Sequence, residues 1–142
     1  MGEGLVLVDS SIWIEGIDPR VPAELKADLT ALIEARRAAV TEMVRLEVIG
    51  GTRSASEFEN ARSEFEVFPC VKATEREWKK AEEITFTLNR KGQRVPSADI
   101  LIAAVAVCHR IPLWHADKDF ERVKKWVQGL DTVWYPRRRP SL

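Results

Sequence analysis

The run Ile100 to Cys108 is apolar on every side, and it constrains the fold more than any other stretch of this sequence. A surface helix needs a polar stripe, so a helix without one must be enclosed by other elements. Pro96 and Ser97 supply its start signal, which puts Asp99 in its first turn and inside the same enclosure. After a break at His109 to Pro112, a very short apolar pair, Leu113-Trp114, leads into His115-Ala116-Asp117-Lys118-Asp119-Phe120. Asp99, Asp117 and Asp119 therefore bracket one helix and one strand end.

The rest of the chain alternates strand and helix signals. Leu5 to Val8 is a continuous apolar run, as in a strand buried on both faces, and it ends at Asp9-Ser10-Ser11. A helical turn follows at Ile12-Trp13-Ile14, and its plainest reading makes Asp9 or Ser10 the cap. Leu25, Leu29, Leu32 and Ile33 recur at helical spacing from Pro22 to about Arg37. Ala38 to Thr41 reads as a second strand with Glu42 at its end, and Met43 to Ile49 as a helix stopped by Gly50-Gly51. Ser56 to Glu59 fits a capping box before Phe58, Ala61 and Phe65, and Val67 to Val71 reads as a third strand, near an edge because of Pro69. Thr74 to Glu77 is another capping box, followed by a stripe of Trp78, Ala81, Thr85 and Leu88 read as core, with Gly92 as the stop. A last helix carries Phe120, Val123, Trp126 and Val127, and Thr132-Val133-Trp134 closes the pattern. This alternation predicts an α/β three-layer sandwich, a largely parallel short-stranded central sheet flanked by helices. No repeat or long linker interrupts it, so residues 1–142 are expected to form a single domain with a basic tail at 136–142.

Lysine plus arginine total 22 and aspartate plus glutamate total 22, so net charge gives no sign of a polyanion partner. The basic residues are clustered, however, at Arg137-Arg138-Arg139 and at Arg90-Lys91 with Arg94; each cluster reads either as solvated surface or as a phosphate contact. Cys70 and Cys108 lie in apolar company without metal-ligand spacing, which predicts buried reduced thiols and a cytoplasmic setting. The N-terminal residues carry no leader pattern, and no apolar run reaches the ~18 residues of a membrane span.

Asp9, Glu42 and Asp117 fall at carboxyl ends of strands, where parallel sheets gather their sites. Asp99 starts a helix in the same layer, and Glu47 looks back from one turn further along its own helix. Carboxylates converging in a partly buried pocket repel one another unless protons or cations neutralise them. Without Cys or paired His to select zinc, an all-oxygen donor set suits Mg2+, with Mn2+ as the alternative, in one or two ions per site. Two such ions ~3.5–4 Å apart serve phosphodiester hydrolysis. Asp and Glu at these positions also serve as caps and dipole partners, and spacing leaves both readings open.

Four motifs in order, Val8-Asp9-Ser10-Ser11-Ile12-Trp13, Glu42 to Gly50, Ser97 to Ala104 and Asp117-Lys118-Asp119-Phe120, resemble the PIN-domain ribonucleases, and among them the VapC-type toxins of toxin–antitoxin pairs. The resemblance implies that Asp9, Glu47, Asp99 and Asp117 are the catalytic, metal-binding acids, that Asp119 is a fifth metal ligand, and that Ser10 or Ser11 supports them. It is the sole ground for preferring Glu47 to Glu42. It further implies endonucleolytic cleavage of RNA that inhibits translation, a cognate VapB-like antitoxin covering the site, a homodimer and a toxin–antitoxin hetero-oligomer. His115 stands where many relatives carry a smaller polar residue, which leaves its role open. A phosphatase with Asp9 as nucleophile would want a second acid where Ser11 stands. A receiver-like signalling module would want an aspartate at the strand end occupied by Phe68 to Val71, and a PIN-like scaffold that does not cut would not need all the acids. The stripe of Trp13, Leu25, Leu29 and Leu32 reads first as core packing, and beside that as a ridge for an antitoxin-like peptide.

Overall fold

The computed structural model describes residues 4–17 and 19–142; residues 1–3, part of the N-terminal stretch expected to carry no leader pattern, lie outside the described residues. Its strands are β1 (Val6–Val8), β2 (Ala38–Ala39), β3 (Leu113–His115) and β4 (Thr132–Trp134). They form one four-stranded sheet in the order β2-β1-β3-β4. Every pairing is parallel, with Leu7 opposite both Ala39 and Leu113, and Trp114 opposite Val133.

The helices are α1 (Ser10–Ile17), α2 (Ala23–Glu34), α3 (Glu42–Gly50), α4 (Ala55–Glu66), α5 (Glu75–Arg90), α6 (Ser97–His109) and α7 (Lys118–Trp126). Alternation along β1 divides the interior. Val6 and Val8 pack with Ile12, Leu25, Leu29, Leu32, Trp114 and Val133 on one face. Leu7 joins Leu113, Ile84, Leu88, Phe120, Val123 and the length of α6 on the other. The sheet is thus covered on both faces, as the continuous apolar strand signal requires. Residues Asp99 through Ala106 of α6 are all buried, which is why that helix has no polar stripe.

Several expectations shift in the structure. The predicted third strand, Val67 to Val71, shrinks to a single bridge between Val40 and Cys70, with Val67 exposed. Pro69 has no N–H to extend the ladder, which leaves Val40 N–H donating to Pro69 O (2.9 Å) and Val71 N–H to Val40 O (2.7 Å). The second strand is shorter than predicted, and Glu42 begins α3 instead of ending β2. The cap of α4 is Ser54, not Ser56: Glu57 N–H donates to Ser54 Oγ (3.1 Å). On α5 the inward stripe is Glu77, Ala81, Ile84 and Leu88, while Trp78 and Thr85 face solvent. Cys70 is exposed at the sheet edge and Cys108 half-buried, both as free thiols, so the burial expected of them is not found.

The expected docking ridge is also gone, because Leu25, Leu29 and Leu32 are buried in the core and Trp13 stacks on Phe68. The basic tail is engaged within the chain. Arg137 lies 4.4 Å over the Trp134 ring, Arg138 donates to Thr132 O (3.3 Å), and Arg139 holds buried Asp28 through both carboxylate oxygens (2.7 and 2.9 Å). No helix among the described residues is long and apolar enough to cross a membrane.

Candidate active site

The acids converge where the sheet's carboxyl edge meets the first turns of α1, α6 and α7. Asp9 follows β1 directly, and its backbone carbonyl accepts from Ile12 and Trp13 N–H, so it opens α1 as the cap reading anticipated. The residue is 2% exposed. Oδ2 accepts from Ser11 N–H (3.1 Å) and Ser11 Oγ (2.5 Å), whereas Oδ1 is buried with no partner among the described residues. Burial raises the Asp9 pKa, against the lowering effect of the Ser11 bonds. The Ser11 hydroxyl also accepts from Ala116 N–H (2.9 Å), so one side chain joins the loop that carries Asp9 to the loop that carries Asp117.

Asp99 is 9% exposed and receives no hydrogen bond among the described residues. Burial, then the charges of Asp117, Asp9, Glu47 and Asp119, push its pKa up to about 7. Asp117 caps α7, its Oδ1 accepting from Asp119 N–H at 2.9 Å. Asp99, Asp117 and Asp119 each offer a carboxylate oxygen, all within 4.8 Å of one another. Asp119 is additionally bonded by Arg122 Nη1 at 3.0 Å.

The two glutamates of α3 part company. Ser10 Oγ donates to Glu47 Oε1 (3.0 Å), and the Glu47 pKa is raised by burial, against Ser10, with the charges of Asp9 and Asp117 adding to the rise. Glu42 turns the other way, where its Oε1 accepts from Ala73 N–H (2.9 Å) and Thr41 Oγ1 (3.1 Å). For Glu42 the upward push of burial is outweighed by the Ala73, backbone and Thr41 hydrogen bonds, and the net shift is downward. Glu47 thus joins the electrostatics of the cluster and Glu42 does not.

His115, fully buried, sits between two functional loops. Its Nδ1 accepts from Asp117 N–H (3.1 Å), which leaves the proton on Nε2 to donate to Glu121 Oε2 at 2.7 Å. Burial lowers its pKa despite Glu121, which favours the neutral ring that this pattern needs. The sequence reading missed Glu121, Arg122 and Gln93, whose Oε1 accepts from Arg122 Nε (3.3 Å) and Nη2 (3.1 Å). Arg122 was findable, lying three residues after Asp119 on a helix; the Gln93 contact spans a separation that no local pattern encodes.

The donor set fits a hard divalent cation. It is all oxygen, it contains a buried carboxylate oxygen with no partner among the described residues, and the charges of its acids add to the burial that raises Asp99 and Glu47.

The family model of the PIN domain matches residues 6–125. Ribonuclease VapC18 of Mycobacterium tuberculosis is 25% identical over 131 residues, which cover 89% of this chain and 92% of that protein. Among solved structures, VapBC2 from Rickettsia felis bound to a DNA fragment from its promoter superposes with a TM-score of 0.75 at 16% identity, over 92% of this chain and 98% of that one. VapBC-5 from Mycobacterium tuberculosis, a member of the VapBC family of toxin–antitoxin systems, gives a TM-score of 0.64 at 16% identity with the same coverages, 92% and 98%. At these identities the structural matches establish a common fold.

Proposed function

Since this chain belongs to the PIN domain family, we propose that it is a metal-dependent endoribonuclease and the toxin of a toxin–antitoxin pair. The observation that carries the reading is the buried Asp9 Oδ1, unpartnered among the described residues, in a set of acids where burial, and then the charges of the neighbouring acids, push the Asp99 pKa up to about 7. Converging carboxylates are kept only where protons or cations offset their repulsion, and a bound cation does so while leaving all of them ionised. Asp9, Glu47, Asp99 and Asp117 would hold Mg2+ or Mn2+, with Asp119 as a further ligand, in one or two ions. A divalent cation there supplies Lewis-acid chemistry, neutralising phosphodiester charge and acidifying a water.

The chain's own groups do the positioning. Ser11 fixes the Asp9 carboxylate and the Asp117 loop with one hydroxyl, Ser10 aims Glu47, and neutral His115 holds the Asp117 backbone while Glu121 fixes its tautomer. The reaction is hydrolysis of RNA, with water attacking phosphorus and the 3′ oxygen leaving. Ser11 fills the place that a nucleophilic-aspartate phosphatase gives to a second acid and is committed to Asp9 and Ala116, which argues against that alternative. The reading includes a cytoplasmic protein of one domain, homodimeric, held inactive by a VapB-like antitoxin that covers the acids.

The test is cleavage of total cellular RNA by purified protein with manganese, with magnesium and with chelator. Discrete fragments that require metal and disappear in Asp99→Asn are expected. Intact RNA in every arm, from folded protein free of antitoxin, would remove the ribonuclease reading.

A further inference from the structure

We propose that the cleft between the C-terminal end of α5 and the segment leading into α6 binds one single-stranded nucleotide of the RNA substrate. Arg94 and Arg122 contact its phosphates and the Asn89 side-chain amide contacts its base edge. The inference rests on the ribonuclease reading and adds where, and through which groups, the substrate is held.

The cleft measures about 860 Å³ and is lined by Thr85, Asn89, Gln93, Arg94, Pro96 and Ser97 among others. That volume lies in the range of about 300–1,000 Å³ typical of small-ligand sites. It is linked to the acids by a chain of contacts. Gln93 forms its wall, Arg122 donates twice to Gln93 Oε1 (3.3 and 3.1 Å), and the same guanidinium donates to Asp119 Oδ1 (3.0 Å). Asp119 in turn shares its oxygens with Asp99 and Asp117 within 4.8 Å. A nucleotide in this cleft therefore has its phosphate one guanidinium away from the acid cluster.

The polar groups of the cleft wall, together with Arg122 bonded to Gln93 and the basic residues beside them in the chain, divide into fixed and free. Gln93 is fixed at both ends of its amide, its Nε2 donating to Lys91 O at 3.3 Å while its Oε1 takes Arg122. Arg122 is held in place but keeps uncommitted N–H donors, because a guanidinium has more of them than these bonds use. Of the basic cluster before α6, Arg90 lies over Phe86 (5.6 Å) and Lys91 over Trp126 (5.1 Å), whereas Arg94 is exposed and has no ion pair or hydrogen bond among the described residues. The Asn89 amide is likewise unpartnered among the described residues and lines the same space. A planar amide presents one donor and one acceptor edge, the pairing that a base edge offers, whereas a phosphate can use only its N–H side. Single-stranded RNA is the nucleic acid whose unstacked bases can enter such a cleft.

The test measures binding of fluorescein-labelled 12-nucleotide homopolymers of A, C, G and U to the Asp99→Asn protein, which binds without cutting, in magnesium buffer. Arg94→Ala in that background is expected to weaken the homopolymers that bind by a common factor of about fivefold and to lower the salt dependence by about one unit of slope. Asn89→Ala is expected to weaken one homopolymer by about tenfold and to leave the others within twofold. Thr85→Trp, a surface change that fills the cleft, should erase the same preference without lowering the melting temperature. Equal affinities for all homopolymers before and after Asn89→Ala and Thr85→Trp would overturn the cleft assignment while the parent's binding leaves the ribonuclease reading standing. A parent that binds no homopolymer, together with a wild type that cuts no RNA, would instead overturn the ribonuclease reading itself.

Discussion

Glu77 and Asp99 occupy the same place on two different helices, the third residue of the first turn, and both are buried at 1% and 9% exposure. They titrate in opposite directions. Burial alone would raise Glu77, but the Thr74 hydroxyl, Arg76 and Thr74 N–H outweigh it and bring its pKa down to about 2. Asp99 meets burial and four acids with no compensating donor, and rises to about 7. The difference begins at the cap. Thr74 offers a hydroxyl and an N–H, and Glu77 Oε1 accepts from both in a capping box. The cap of α6 is Pro96, which has neither. Proline at that position starts the helix while leaving its first-turn acid free for a ligand.

The largest effect expected from breaking this contrast is on catalysis. Under the proposed function, Asp99→Asn should reduce metal-dependent RNA cleavage by about 100-fold or more, since it removes the charge of one proposed metal ligand at constant shape. The same variant should melt no lower than the wild type in chelator, because the charge removed was repelled by its neighbours. Next in size is the opposite acid. Glu77→Gln keeps the shape but loses the charge that Arg76 (2.8 Å) and His109 (3.4 Å) face, and is expected to cost about 2 kcal/mol in denaturant unfolding at neutral pH. Its cleavage rate per folded molecule should be unchanged. A stability loss from Asp99→Asn and none from Glu77→Gln would invert the comparison.

How far this was readable from sequence follows the same line. The unbroken apolar face of Ile100 to Cys108 predicted an enclosed helix, and the strand–helix alternation predicted the parallel sheet, because both are periodic over many residues. Phase and register were harder. Ser54 and Ser56 each precede a glutamate by three residues, so two overlapping capping boxes compete and only packing selects the first. The α5 stripe was displaced because Trp78 was read as core although it stands outside, while Glu77, a charge, is inside with its box complete. For the site, strand ends and helix starts located Asp9, Asp99 and Asp117, whereas Glu47 came from resemblance, and the structure turns Glu42 toward Ala73. Of the groups that orient the acids, Ser10 and Ser11 came from the resemblance and Arg122 was findable from its spacing to Asp119, whereas the contacts of Ser11 with Ala116 and of Arg122 with Gln93 join residues far apart in the chain and no local pattern carries them.

A smaller effect separates the two acids by pH. Asp99 is raised from an ordinary value of 3.8 to about 7, so the folded state binds its proton more tightly than the unfolded chain does. Its contribution to stability is full below 3.8 and is lost as pH rises through about 7. Glu77 has the reverse sign, with stability present above 4.5 and lost as pH falls toward about 2. In chelator, the stability of Asp99→Asn relative to wild type should therefore grow between pH 5 and pH 8, by on the order of 1 kcal/mol. Other titrating groups, His115 and Glu121 included, largely cancel in this difference. A flat difference across that range would remove the account of Asp99 as a raised acid.

The smallest effect comes from changing the cap alone. Pro96→Thr would give α6 the hydroxyl and N–H that Thr74 gives α5, at the same spacing from the first-turn acid. If the cap is what leaves Asp99 free, its carboxylate will accept the new N–H, its pKa will fall, and the pH 5 to 8 difference between this protein and its Asp99→Asn counterpart will shrink. The apo fold should gain about 0.5–1 kcal/mol at pH 8 from the completed box. The cost appears with metal, where a carboxylate already holding an N–H is a poorer ligand, so the rise in melting temperature on adding magnesium should be smaller than in the wild type. An unchanged pH difference together with an unchanged magnesium effect would mean that the surrounding acids, and not the missing donors of Pro96, keep Asp99 apart from Glu77.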